Sequence, residues 1–423
     1  MNRPITRRHR RLHEQVLLSW SFSLLLGGLF CVALPAWVLW GADGLRYPND
    51  GQYYAMVMAT IAYVIAHRSL HVLQRYPGTR SLVHIVPQVA LTFGVAMLIT
   101  LLMHVSMSRL LMVASGVLTM FWCYADFRLR SRVQRPKLAL VPFGDALELA
   151  AVSNVDIRVL DTPALDGARY DAVVADLGAL PDERWERFLT QCALSRIPVY
   201  QARQMFESLT GRVRISKISE NQMGSLLPSP GYERLKYLID VLLIVVTLPL
   251  TLPLALVTAL AIRIESPGPV MFLQERVGRG NRSFKIYKFR SMVARDVDDP
   301  RFASRNDSRI TRVGAIIRKL RIDEIPQFLN VLRGEMSLIG PRPEQRTFVE
   351  QFDREIPFYS YRHVVRPGIT GWAQVMQGYT ASADATRIKM EHDFYYIKHC
   401  SLALDLLIVL RTIQTILTGF GAR

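Results

Sequence analysis

Lys236-Tyr-Leu-Ile-Asp-Val-Leu-Leu-Ile-Val-Val-Thr-Leu-Pro-Leu-Thr-Leu-Pro253, continuing as Leu-Ala-Leu-Val-Thr-Ala-Leu-Ala-Ile262, is an apolar run long enough to cross a bilayer, yet it contains two prolines. Basic residues flank both ends: Arg234 and Lys236 before it, and Arg263, Arg276, Arg279, Arg282, Lys285, Lys288 and Arg290 after it. A straight span would put one of these clusters outside, against the tendency of Lys and Arg to stay cytoplasmic. The sequence therefore predicts a re-entrant helix over 236–262, broken at Pro249 and Pro253 and leaving on the face it entered, in preference to a kinked span. Asp240 is costly there if unpaired, so it is predicted to meet Lys236 one turn earlier or a basic residue of the soluble part.

Upstream, apolar stretches at about Val16 to Trp40, Tyr53 to Ala66, Leu82 to Val105 and Leu110 to Ala125 predict four spans, the second and fourth short and reliant on flanking residues. The length of the first, and Trp37 and Trp40 where small residues would be needed, argue against a cleaved signal peptide. Arginines orient the bundle. Arg3, Arg7, Arg8, Arg10 and Arg11 precede it, Arg68, Arg75 and Arg80 fill the second loop, and Arg128, Arg130, Arg132, Arg135 and Lys137 follow it. The first and third loops are poor in positive charge, which puts both ends of a transmembrane bundle over 1–130 in the cytoplasm; a soluble helical bundle has no use for such asymmetry.

Residues 137–220 read as a degenerate Rossmann-like α/β domain. Leu138 to Val141, Ile157 to Leu160, Ala172 to Ala175 and Pro198 to Tyr200 are short buried strands, with a helix at Glu183 to Leu194. Only Pro142-Phe143-Gly144-Asp145 follows the first strand, not GxGxxG, so dinucleotide binding is not indicated and a regulatory or scaffolding role fits better. Gly224 to Gly231 reads as a linker to a third domain at 232–423.

Within that domain Arg318-Lys-Leu-Arg-Ile-Asp-Glu-Ile-Pro-Gln-Phe-Leu-Asn-Val-Leu-Arg-Gly334 sets adjacent carboxylates, Asp323 and Glu324, among arginines. Ile325, Phe328, Leu329 and Leu332 share one helical face, so a short helix is predicted from about Asp323 to Gly334. With Asp323 as its cap, the helix dipole favours an ionised carboxylate, suited to nucleophilic attack or to a divalent cation; a plain capping role satisfies the same spacing. Arg342, held between Pro341 and Pro343, suits an oxyanion. Ser401 to Gly419, an apolar face interrupted by Asp405, Arg411 and Gln414, predicts an interfacial amphipathic helix.

The 423 residues are 50% hydrophobic with formal net charge +17, which favours anionic partners; because the apolar residues sit in long runs, membrane lipid is a better partner than nucleic acid. Cys31, Cys123, Cys192 and Cys400 form neither a disulfide framework nor a zinc motif, and the histidines do not cluster.

These motifs coincide with a known pattern. Lys236-x-x-x-Asp240 before a proline-broken helix, Gly268-Pro-Val-Met-Phe-Leu-Gln-Glu-Arg-Val-Gly278, Phe284-Lys-Ile-Tyr-Lys-Phe-Arg-Ser-Met292, Asp323-Glu324, Gly340-Pro-Arg-Pro343 and Arg366-Pro-Gly-Ile-Thr-Gly-Trp-Ala-Gln374 resemble the bacterial polyprenyl-phosphate phosphoglycosyl transferases of the monotopic type. With the bundle and middle domain, the whole chain is similar to the long members that begin exopolysaccharide, capsule or O-antigen synthesis. The resemblance implies a multi-pass protein of the bacterial inner membrane, with its catalytic domain on the cytoplasmic face, that moves a hexose-1-phosphate from a UDP-sugar to undecaprenyl phosphate and releases UMP. It implies Asp323 as nucleophile, Mg2+ held by Asp323 and Glu324, and Arg318 and Arg342 on phosphate oxygens, with Arg366 in the same set. Glucose and galactose are the donors it suggests first, and a homo-oligomer is compatible with it.

Other readings stay open on sequence alone. Lys285, Lys288 and Arg290 attract headgroups or the donor diphosphate, or form a solvated face. Trp372 suits stacking on uracil, though a core position fits it better. Leu252-Pro253 stands where small members often have Ser-Pro, which shifts the break toward Pro249. Asp296-Val-Asp298 satisfies the DxD pattern of a glycosyltransferase that releases UDP, but lies among other charges. A non-catalytic membrane scaffold would leave Asp323 dispensable.

Overall fold

A computed structural model describes residues 19–73, 76–77, 84–104, 107–133, 136–152, 155–165, 167–215, 227–293, 309–377 and 383–418. The N-terminal arginines, Arg75, Arg80, Arg135, the DxD segment and residues 224–226 of the expected linker lie outside them, while Pro230 and Gly231 of that linker already belong to a helix. The chain divides into two compact units, Met1–Gly211 and Arg212–Arg423.

The first unit opens with helices α1 (Trp20–Arg46), α2 (Asp50–Leu73), α3 (Ile85–Leu102) and α4 (Arg109–Val133). All are long enough and apolar enough to cross a membrane. The second and fourth are longer than their apolar stretches because the helix runs on through polar flanks, from Asp50 to His71 and out to Arg130. On α2 the buried Ala59, Ala62 and Ala66 leave room for close approach of the neighbours, as helix association in lipid favours. Ser23 Oγ donates to Asp126 Oδ1 (2.9 Å) and lies 3.1 Å from His67 Nε2, while Arg130 pairs with Asp126 at 2.9 Å. These bonds satisfy polar groups that the apolar interior would otherwise penalise.

Strands β1 (Lys137–Leu140), β2 (Asp156–Val159), β3 (Ala172–Ala175) and β4 (Val199–Gln201) follow, with α5 (Glu183–Leu194) and α6 (Ala202–Thr210). The sheet is parallel in the order β2-β1-β3-β4. Trp185, Phe188 and Leu189 of α5 join one apolar cluster and Phe206 of α6 the other, so alternate residues of β1 and β3 bury on opposite faces. Gly144, at φ +57°, lets the chain turn beside Asp176, where an added Cβ would meet Asp176 Oδ2 at 2.3 Å.

In the second unit, Arg212 pairs with Glu391 (2.5 Å) and Val213 N–H donates to the Glu391 carbonyl, so the chain leaves the expected 137–220 domain by residue 212. Helix α7 (Pro230–Glu265) holds Pro249 and Pro253 inside it. Thr247 donates to the Leu243 carbonyl (2.7 Å) and Thr251 to the Thr247 carbonyl (3.1 Å), back-bonds that bend helices next to prolines. Hydroxyls at Thr247 and Thr251 therefore accompany the prolines here.

A hairpin, β5 (Met271–Val277) and β6 (Ser283–Phe289), precedes α8 (Arg312–Lys319), α9 (Phe328–Leu332), β7 (Ser337–Ile339) and α10 (Arg346–Glu355). Strand β8 (Gly368–Thr370) pairs parallel with β7, and α11 (Trp372–Met376), α12 (Ala383–Lys398) and α13 (Leu402–Thr418) complete the unit. Asp240 does not pair with Lys236. Its Oδ2 accepts from Ser337 Oγ (2.6 Å) and Leu338 N–H (3.3 Å), while Lys236 reaches Asp405 at 2.5 Å. Asp405 also accepts from Tyr232 (2.6 Å) and Tyr396 (2.9 Å), so it lies on the buried side of α13 and not on the polar side of an interfacial helix. Two long-range carboxylate contacts thus fasten the start of α7 to the unit.

Candidate active site

The segment expected as one helix from Asp323 divides into a 3-10 turn at Ile322–Gln327 and α9, closed by Gly334 at φ +74°. Arg321, not Asp323, precedes the first turn, and it adopts the left-handed conformation at φ 60°. A non-glycine residue held there costs about 1–3 kcal/mol and persists where the surroundings impose it. Two of the four predicted apolar positions, Leu329 and Leu332, are exposed, because the change of helix type shifts the face after Gln327.

That geometry turns the two neighbouring carboxylates into different environments. Glu324 is buried, and its Oε1 lies 3.2 Å from Arg342 Nη1, 3.4 Å from Lys288 Nζ and 3.6 Å from Arg321 Nη1. Asp323 is half-buried. Burial alone would raise the Glu324 carboxyl, but Lys288, Arg342 and Arg321 overrule it and hold it below the usual range. Burial, then the charge of Glu324, pushes the Asp323 carboxyl upward against the same cations. Lys288, Arg321 and Arg342 thus converge on one carboxylate oxygen, in a setting where charge–charge energies exceed those in water.

Distant motifs support it. Asn330, fully buried, accepts from Tyr287 N–H (3.1 Å) and donates to the Lys285 carbonyl (2.8 Å), fixing α9 to the edge of β6 from which Lys288 projects. The loop of Arg342 is clasped by the Arg366-Pro-Gly segment: Gly340 N–H donates to Thr370 O (2.8 Å) and Gly368 N–H to Pro341 O (2.9 Å). A Cβ on Gly368 would lie 2.0 Å from Gly340 N, so glycine is required for this approach. The sequence reading missed Arg321 and Asn330. Alternation along β6 carried a signal for Lys288, which shares its face with Phe284 and Ile286, whereas Lys285 lies on the other.

The remaining expected site residues lie elsewhere. Arg318, on the last turn of α8, makes no ion pair with either carboxylate among the described residues. Arg290, past the end of β6, turns back to Ser266 O and Oγ (both 2.8 Å) and Pro267 O (2.9 Å), so its donors hold a loop and not a headgroup. The Arg366 guanidinium lies over the Tyr237 ring at 4.8 Å, beside α7. Trp372 is 1% exposed and stacks on Tyr395, a core residue with no face left for uracil.

For a divalent cation the residues fit in part. Asp323 offers a half-exposed carboxylate, but Glu324 Oε1 is already surrounded by cations. No group of three or more metal-binding side chains occurs among the described residues, so phosphate oxygens of a substrate would have to complete the ligand set, as Mg2+ commonly requires.

Residues 231–419 match the family described as bacterial sugar transferase. Over 420 residues, 99% of both chains, the protein is 52% identical to a UDP-N-acetylgalactosamine-undecaprenyl-phosphate N-acetylgalactosaminephosphotransferase of Aeromonas hydrophila. It is 45% identical over 202 residues to a UDP-glucose:undecaprenyl-phosphate glucose-1-phosphate transferase of Caulobacter vibrioides, covering 47% of this chain and 76% of that one. A protein of the same description from Escherichia coli K12 is 41% identical over 190 residues, 44% of this chain and 41% of the other. Fold, site and relatives together define a membrane-bound sugar-1-phosphate transferase. The chain belongs to the bacterial sugar transferase family.

Proposed function

We propose that the protein transfers N-acetylhexosamine-1-phosphate, with UDP-N-acetylgalactosamine as first donor, to undecaprenyl phosphate at the cytoplasmic face of the bacterial inner membrane. The donor follows from the relative that matches along its whole length, and it replaces the glucose or galactose expected from the sequence. The reaction would be the first membrane step of a surface polysaccharide.

The carrying observation is the acid pair on which Lys288, Arg321 and Arg342 converge. A carboxylate oxygen of Asp323 attacks the β-phosphorus of the donor, the bond from that phosphorus to the oxygen bridging the α-phosphate breaks, and UMP leaves with that oxygen. An oxygen of undecaprenyl phosphate then attacks the same phosphorus and frees the carboxylate. Arg342, Lys288 and Arg321 bind phosphate oxygens and offset the repulsion between nucleophile and diphosphate. Glu324 keeps the cations converged while the donor is absent. Mg2+ held by Asp323 and the donor phosphates would supply further charge neutralisation.

A re-entrant α7 would bring this chemistry to the lipid headgroups. Ile244 is buried with Val331, Met336 and Phe328, and Ile262 with Phe289, Ile317 and Ile325, so both limbs rest on the same unit. Exposed apolar side chains run on from Leu238 to Ile264, so length alone would allow a full crossing. Limbs held at Ile244 and at Ile262 by one compact unit, however, would keep both ends of the helix on one side of the membrane. This supports a helix that dips into one leaflet. A tag after Ile262 would be reachable from the cytoplasm alone; protection there would mean a complete crossing.

Purified protein given donor and undecaprenyl phosphate should release UMP. Release of UDP would instead support direct glycosyl transfer, and release of neither from any UDP-sugar would support a scaffold.

A further inference from the structure

The loop that carries Arg342 is held from behind. The Arg342 carbonyl accepts a hydrogen bond from Arg362 Nη2 at 3.0 Å, and the same guanidinium is fixed by Asp393 Oδ2 at 2.7 Å and by the Tyr359 hydroxyl at 2.9 Å. Both side chains of the Arg362–Asp393 pair are 2% exposed. A buried ion pair is weak evidence for stability, since desolvation offsets much of its attraction, but its donors point in fixed directions. The next residues of the loop are tied in the same way: Lys389 reaches Glu344 Oε1 at 2.5 Å, and Val277 N–H donates to the Glu344 carbonyl at 2.9 Å. A lysine could neutralise Asp393 but could not reproduce the guanidinium fork that bonds Asp393, Tyr359 and the Arg342 carbonyl together.

We infer that Arg362 is a positioning residue for phosphate transfer: through the backbone of Arg342 it sets the reach of that guanidinium to Glu324 and to the donor phosphate. This rests on the phosphate-binding role proposed for Arg342. Arg362 touches no reacting group, so its effect must pass through Arg342, and a double-mutant cycle on the full-length enzyme reads this directly.

Arg362→Lys is expected to lower kcat for UMP release about 100-fold, as small misplacements of catalytic groups do, with KM for the donor little changed and the melting temperature lowered, since buried partners of the guanidinium lose their donor. In an Arg342→Ala background the same substitution should bring under about twofold further loss, because the group it positions is gone. Tyr359→Phe removes a single bond to Arg362, should cost about threefold, and should also lose its effect in that background; it serves where Arg362→Lys fails to fold. Full additivity of either substitution with Arg342→Ala, in an enzyme that Arg342→Ala has itself slowed, would overturn the positioning role alone. An Arg342→Ala enzyme of undiminished activity would first remove the role of Arg342, and the inference with it.

Discussion

The two units each contain a place shaped for an anion, and they treat it differently. In the parallel sheet, chain order reverses between β1 and β3, the crevice where open α/β sheets bind ligands. There Asp176 supplies the anion itself: its carboxylate accepts from Asp145 N–H (3.0 Å), Gly178 N–H (3.2 Å) and Gln201 Nε2 (3.3 Å), and it stands against Gly144. The donors that a phosphate would use already have a partner. In the second unit, Lys288, Arg321 and Arg342 converge on Glu324, beside the less buried carboxylate of Asp323. A fold associated with nucleotides is thus self-satisfied, while three cations and an acid pair gather at a site with no such pedigree.

The strongest way to break this contrast is Asp323→Asn, which should lower UMP release by about 10⁴-fold or more while leaving the melting temperature nearly unchanged. Retained turnover would remove the nucleophile. Arg342→Ala should cost about 10²-fold in kcat/KM, measured by the same assay, since it deletes one of the three cations that converge on the acid pair. Glu324→Gln sharpens the comparison through pH. Asp323 must be ionised to attack, and burial together with the Glu324 charge holds its carboxyl high. Removing that charge lets Asp323 lose its proton more readily, so the acid limb of the kcat/KM profile should move to lower pH; a limb that stays or rises would contradict the coupling. The smallest catalytic effect belongs to Asp176→Ala: activity within about twofold of the parent, but stability lower by about 1–3 kcal/mol in denaturant titration, because donors to a half-buried carboxylate lose their acceptor.

The same contrast marks what the sequence made legible. All four middle strands and α5 fell within a residue or so of their expected bounds, and Ala-Val-Val-Ala at 172–175 is buried on both faces. The outer strands β2 and β4, however, are exposed or only partly buried where buried strands were expected, because they form the edges of the sheet. The membrane helices were equally plain in kind, though polar flanks hid the true lengths of α2 and α4. At the site, local pattern located the acid pair but misassigned its neighbours. Arg318 looked as close as Arg321 until the left-handed turn at Arg321 directed one guanidinium inward. The partners of Asp240 and Lys236, at Ser337 and Asp405, come from sequence positions remote from them, and no helical spacing can announce such pairs. Arg290 failed for a related reason: β6 ends one residue before it, so the alternation that places Lys288 does not extend to it.

The central claim is that Asp323 becomes esterified to the sugar phosphate before the lipid acceptor takes it. Intact-protein and peptide mass spectrometry of enzyme mixed with UDP-sugar alone tests it most directly. The account predicts an added sugar-phosphate mass on the peptide containing position 323, with UMP released in equal amount and the adduct lost on adding undecaprenyl phosphate. UMP appearing solely when both substrates are present, with no adduct at any time, would contradict it.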